Sequence, residues 1–395
     1  MSEENEGSVW TTSEVSEPTE VREYKNNLDF RWVGTPVKTG KRNVLDFKWC
    51  HPEGIGGNNW KMPGLSNGFF DYQQKTVEKL YKKRNKLRAQ LLDMYLESES
   101  EKKKERGYWV FDKAAGCPEE PDAPLVDVVA RVPSDLAEGE KVPCVFDIQG
   151  GGWYEGGTYE YFMGPIEAMC KKHHCVVVSF CYRMLYEVGG LEMVNDCHAA
   201  YQWMLDHADE LHIDINKVVV HGYSAGGTLA ASLGFRLKRY DIHPCGVFAC
   251  MAPLDDVNNT SSGMISYWSD ESNSYEAVDG DFIRMLMKPY MGNQFGDPAA
   301  SPELIPSRAT VEDCKGYPPL WMSIAELDSS RDSALDLARK MHEAGTFCEY
   351  HVWGAANHNT CDPNTALGKR ISDEEHAWIQ DAISYDFTRP WLREE

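Results

Sequence analysis

Several things are scarce in this chain of 395 residues, and each scarcity excludes a class of function. No window approaches about 18 apolar residues, so no transmembrane helix is expected. The opening residues, Met1 to Gly7, carry neither a basic n-region nor an apolar h-region. No secretory signal is therefore expected, and the expected location is cytoplasmic. Basic residues are outnumbered, 40 Lys and Arg against 62 Asp and Glu, for a formal charge of −22. That balance argues against nucleic acid and anionic membrane as partners. The 12 cysteines are scattered through strand-like and helical runs and form no disulfide framework. They read as reduced thiols of a cytosolic protein, buried as small hydrophobes. Cys170-x-x-His173-His174-Cys175 lacks a second ligand pair at zinc-finger spacing, so no metal site is expected there. Internal repeats and long low-complexity tracts are also missing.

What remains is a patterned globular chain, 42% hydrophobic, with enough apolar residues for a large core. Residues 1–106 read as an N-terminal extension and helical cap. The first 70 are polar and rich in Gly, Pro and Asn. From Tyr72 to about Glu105, apolar residues such as Val77, Leu80, Leu87, Leu91 and Leu92 recur at helical steps. That helix either covers the body or forms part of a lid.

Residues 107–395 read as a catalytic domain. Strand-like runs at Tyr108–Phe111, Val126–Val132, Val142–Ile148, Cys175–Phe180, Val218–Val220, Gly246–Met251, Leu320–Ala325 and Cys348–Trp353 alternate with helical ones. The helical runs cover Met163–Lys172, Leu191–Ala208, Ser333–Ala344 and Glu374–Ser384. A β-α-β-α order predicts an α/β fold with a mostly parallel sheet and helices on both sides. Residues 255–317 break the alternation with Ser, Asn, Gly and aromatics, as an insertion beside the cleft would.

The most informative stretch is His221-Gly222-Tyr223-Ser224-Ala225-Gly226-Gly227. It follows Lys217–Val220 and precedes the helical run Thr228–Leu233, which is the strand–turn–helix setting of a nucleophile elbow. Ser224 is the candidate nucleophile. A hydroxyl needs a base, and the base needs an orienting carboxylate. Asp328 follows a strand in Glu326-Leu327-Asp328-Ser329, and His358 follows the last strand in Ala356-Asn357-His358-Asn359. Both fall at carboxyl ends of strands, where open α/β sheets place reactive groups. The rivals read differently. Asp332 reads as a cap for the next helix, Asp255 and Asp256 come one strand early, and Glu326 shares the acid's loop. His351, His221 and His342 read as packing residues.

Gln149-Gly150-Gly151-Gly152-Trp153 directly follows the strand ending at Ile148. Its glycines let backbone approach a substrate oxygen, so the N–H groups of Gly150 and Gly151, with that of Ala225, are the candidate oxyanion hole. No Gly-Lys-Ser/Thr follows, and no Gly-x-Gly-x-x-Gly opens a helix in register, which argues against a phosphate-binding loop. Trp153, Tyr154 and Tyr223 are candidate substrate contacts, with Tyr159, Tyr161 and Phe162 nearby; packing beneath the cap is the competing role.

These motifs resemble the hormone-sensitive-lipase-like esterase branch of the alpha/beta-hydrolases. Gln149–Trp153 is similar to its His-Gly-Gly-Gly oxyanion motif, and Tyr182-Arg183-Met184-Leu185-Tyr186-Glu187 to its Tyr-Arg-Leu-Ala-Pro-Glu signature. Val220–Gly227, Glu326–Asp332 and Asn357-His358 are similar to its nucleophile, acid and base segments. The resemblance covers about residues 107–390 and implies an alpha/beta-hydrolase fold with an eight-stranded sheet and a cap. It places the triad on Ser224, Asp328 and His358 and implies carboxylesterase chemistry through an acyl-enzyme, with no cofactor. Gln149 stands where the motif has histidine, and Tyr223 where many relatives carry Asp or Glu. More distantly the chain is similar to kynurenine formamidases. The alternatives are therefore an amidase or formamidase, deacetylase or transacylase on the same triad, or a non-catalytic receptor of the same fold. The expected partners are a small-molecule ester and, in a homodimer, a second copy of the chain.

Overall fold

The computed structural model describes residues 107–387 apart from 155–164, 186, 258–259, 261, 263–279, 327, 355, 357, 359 and 361–364. It also describes six exposed helical positions from Lys82 to Asp93. The rest of the N-terminal extension, and with it the proposed lid, lies outside the described residues, as do Tyr159, Tyr161 and Phe162. No helix among the described residues is long and apolar enough to cross a membrane.

The strands are β1 (Tyr108–Ala114), β2 (Val126–Val132), β3 (Val142–Ile148), β4 (Val176–Cys181), β5 (Ile213–Tyr223), β6 (Gly246–Cys250), β7 (Leu320–Ala325) and β8 (Cys348–Trp353). They form an eight-stranded sheet in the order β1-β2-β4-β3-β5-β6-β7-β8. β2 pairs antiparallel with β1 and β4, and every other pairing is parallel. The run Val-Val-Val-Ser-Phe-Cys of β4 is buried at every position, because helices cover both faces of a parallel sheet.

The helices are α1 (Glu167–His173), α2 (Gly190–Asp206), α3 (Ala225–Arg239), α4 (Gly280–Met291), α5 (Val311–Cys314), α6 (Arg331–Glu343) and α7 (Ala366–Ser384). α2 and α3 pack on each other and on the sheet, and α1 and α7 meet on the opposite face through His173 and His376. α7 begins eight residues before the expected Glu374. The Thr365 hydroxyl accepts from the Gly368 N–H (2.9 Å) and so caps the helix. From there Leu367, Ile371, Trp378 and Ile379 are buried as one stripe. α4 lies in the segment expected as an insertion and buries Ile283, Leu286, Met287 and Tyr290.

A long ion-pair network ties the β1–β2 connection to the helices. Glu119 accepts from Arg239 (2.6 Å) and Tyr240 (2.6 Å), and lies 3.1 Å from Arg236 and from His198. Glu120 and Asp196 together hold Arg183 through several hydrogen bonds.

Candidate active site

The sheet delivers Ser224 at the end of β5, in a conformation that L-residues seldom adopt, with φ 55° and ψ −121°. Such a backbone costs about 1–3 kcal/mol and persists only where the surroundings over-determine it. Here the Ser224 N–H donates to the Cys250 carbonyl of β6 (2.8 Å), and the Ser224 carbonyl accepts from Thr228 (3.1 Å). The turn is closed so tightly that a Cβ on Gly226 would stand 1.9 Å from the Ile148 carbonyl oxygen. Only glycine fits there.

His358 Nε2 lies 2.7 Å from Ser224 Oγ, across 134 residues of chain. Its Nδ1 lies 2.6 Å from Asp328 Oδ2. The other Asp328 oxygen, Oδ1, accepts from the N–H (2.9 Å) and the hydroxyl (2.8 Å) of Ser330. Both carboxylate oxygens are therefore engaged, and the side chain cannot rotate away without losing these bonds. Asp328 and His358 are buried, and Ser224 is half-buried. The arrangement holds an imidazole with one nitrogen at a hydroxyl and the other at an ionisable carboxyl, the geometry that nucleophilic serine chemistry needs.

The glycine loop lies against this group. A Cβ on Gly150 would meet the Tyr223 carbonyl oxygen at 2.7 Å and Ser224 Cβ at 3.4 Å. Gly151 and Gly152 have φ of 103° and 61°. Ala225 is the first residue of α3, so its N–H has no partner within the helix. Gln149 anchors the loop by its backbone carbonyl, which accepts from the Tyr182 hydroxyl (3.2 Å). Its side-chain amide is buried, and neither of its polar atoms has a hydrogen-bond partner.

The candidate substrate contacts are placed differently from one another. Trp153 is fully buried with its ring 4.7 Å from that of Tyr290, and Tyr154 is also buried. Trp153 thus packs against α4. Tyr223 is half-buried, and its hydroxyl donates to the backbone carbonyl of His358 (2.8 Å).

The expected cap role of Asp332 is corrected. It sits inside the first turn of α6, where it accepts from the Ser262 N–H (2.8 Å) and pairs with Arg331 (2.9 Å). Ser330 occupies the cap position. His351 stacks on Trp353 and meets Glu374 (2.9 Å), and His342 bonds to the Cys348 carbonyl (2.7 Å). His221 does more than pack. Its Nδ1 is 2.7 Å from Asp147 Oδ1, just beneath the elbow. The signal for this pair was an acid inside the buried run of β3, since a buried charge requires a partner.

Among the described residues, Cys117, Glu119 and His198 bring three ligand-type atoms within 4.8 Å of one another. The guanidinium groups already bound to Glu119 supply the positive charge there, so the donor set fits an ion-pair network better than a metal. A cavity of about 650 Å³ lies among Lys217, Tyr317, Phe347 and Phe387. It sits at the amino ends of the strands, seven residues of β5 away from Ser224, where such sheets do not place their chemistry.

Comparison with known proteins agrees with this fold. A family model described as alpha/beta hydrolase fold matches residues 145–362. The chain is 25% identical over 237 residues to an esterase, LipI, of Mycobacterium tuberculosis, covering 58% of this chain and 70% of the relative. It is 28% identical over 228 residues to a carboxylesterase, NlhH, of the same organism, covering 57% and 68%. Among solved structures it is similar to a bacterial heroin esterase, at TM-score 0.63 and 26% identity, over 78% of this chain and 93% of that one.

Proposed function

We propose how this chain, which belongs to the alpha/beta-hydrolase family and is a carboxylesterase-type hydrolase, carries out its reaction: Ser224 is the nucleophile, His358 the general base and acid, and Asp328 the group that orients the imidazole. Ser224 Oγ attacks the ester carbonyl while its proton passes to His358 Nε2. Asp328 accepts from Nδ1–H and stabilises the imidazolium. The carbonyl oxygen becomes an oxyanion held by the N–H groups of Gly150, Gly151 and Ala225. The carbon–alkoxy bond then breaks, and the leaving alcohol takes the proton from His358. Water, deprotonated by the same imidazole, attacks the acyl-enzyme, releases the acid and restores Ser224.

One observation carries this reading: the two contacts of 2.7 Å and 2.6 Å that join Ser224, His358 and Asp328 in one line. The substrates are carboxylic esters with apolar or aromatic groups of small to medium size. The chain's net charge of −22 supports neutral rather than polyanionic substrates. A cytoplasmic setting is supported by the free thiols of the described cysteines, nearly all of them buried.

A panel of p-nitrophenyl esters and matched anilides, varied in acyl length, tests the proposal on wild type and His358→Ala. The expected result is ester turnover well above anilide turnover, with His358→Ala reduced by orders of magnitude. Anilides cleaved faster than esters would assign the site to amide chemistry. Undiminished His358→Ala would remove the imidazole from the mechanism.

A further inference from the structure

Tyr223 stands immediately before the nucleophile, yet its hydroxyl reaches the loop that carries the base. The phenolic O–H donates to the His358 backbone carbonyl at 2.8 Å, and the tyrosine and imidazole rings meet edge-on with centroids 6.2 Å apart. The ring packs against both hydrophobic clusters of the protein. The smaller cluster consists of Met251, Ala325, Trp353, Ala356, Leu367 and Ile371. These residues flank the acid loop, which leaves β7 at Ala325, and the base loop, which runs from Trp353 to Leu367. Tyr223 is thus built into the floor shared by both loops, with its one polar atom on the backbone of the base.

We infer that Tyr223 is a positioning residue, which fixes the His358 loop relative to Ser224, rather than a contact for the acyl group. The inference rests on the reading of His358 as the base. Physically, β5 is an interior strand of the site, paired on both sides in the sheet. A hydrogen bond from its last residue ties that interior strand to the His358 backbone, which follows β8, a strand paired among the described residues with β7. Without the phenol hydroxyl the buried carbonyl loses its donor and the imidazole drifts from both partners. Misplacement by about an ångström costs up to about 100-fold in rate.

Tyr223→Phe removes the hydroxyl and keeps the ring. It is expected to lower kcat about tenfold while KM stays within about twofold on acetyl, butyryl and hexanoyl p-nitrophenyl esters. In a His358→Ala background the same substitution should cost less than about twofold, since there is no imidazole left to place. Four results would overturn the inference. They are an unchanged kcat, an altered chain-length preference carried by KM, a full tenfold loss repeated in the His358→Ala background, or loss of the cooperative thermal transition. The underlying reading fails separately, through undiminished turnover by His358→Ala alone.

Discussion

Asp147 and His221 face each other on the paired strands β3 and β5, 2.7 Å apart and three residues beneath Ser224. Glu375 of α7 places a second carboxyl beside the imidazole. Burial works to lower the His221 pKa, but the hydrogen bond and charge of Asp147, with Glu375, outweigh it and hold the pKa above the ordinary value. The fold therefore favours the imidazolium more than the unfolded chain does. A raised pKa gives stability that is complete below the unfolded value of about 6.5 and is lost as pH rises through the folded value. Wild-type Tm should fall as pH rises from about 6.5, and an Asp147→Asn/His221→Gln double variant should lose that component of the slope. Parallel Tm curves would remove the pair from the pH dependence.

Glu119 has the opposite sign. Burial pushes its carboxyl up, but hydrogen bonds from Tyr240 and Arg239 and the charge of Arg236 hold it well below the usual carboxylate range. Its contribution is present above the unfolded pKa of about 4.3 and disappears as pH falls. Glu119→Gln should unfold at lower urea concentration than wild type at pH 7. The gap should narrow progressively below about pH 4.

Gln149 carries a buried amide without a partner, and an unpaired buried polar group costs about 1–3 kcal/mol. Gln149→Met, of similar volume and without that cost, should raise Tm by about 2–4 °C. Differential scanning calorimetry checks this, and a lowered Tm would mean that the amide is paired in solution.

Asp328→Asn keeps the shape of the acid but favours the wrong imidazole tautomer. By analogy with other serine triads, kcat should fall about 10⁴-fold at neutral pH, with little change in KM. Steady-state kinetics on a p-nitrophenyl ester measures it; a loss under about tenfold would contradict the orienting role.

Much of the fold was legible because its signals are local. The apolar runs Val126–Val132, Val142–Ile148 and Leu320–Ala325 became β2, β3 and β7 with the expected limits. Ser224, Asp328 and His358 could be named because each follows a strand in a motif that needs no distant contact to be recognised. Less legible were features decided by packing. The start of α7 depended on Thr365 acting as a cap ahead of a mixed run, Ala366–Asp373. The packing of Trp153 on Tyr290 depended on α4, which no periodicity tied to the glycine loop. Tyr223 could be seen near the cleft, but the acceptor of its hydroxyl lies 135 residues away and is a backbone carbonyl, which leaves no mark in a sequence.

The most direct test of the central claim is the mass of the trapped intermediate. Wild type and Ser224→Ala would be treated with a fluorophosphonate, digested, and the modified peptide sequenced by mass spectrometry. The account predicts one stoichiometric adduct on Ser224, none on the variant, and loss of ester turnover in step with labelling. An adduct on another residue, or a Ser224→Ala chain that still turns over esters at the wild-type rate, would contradict it.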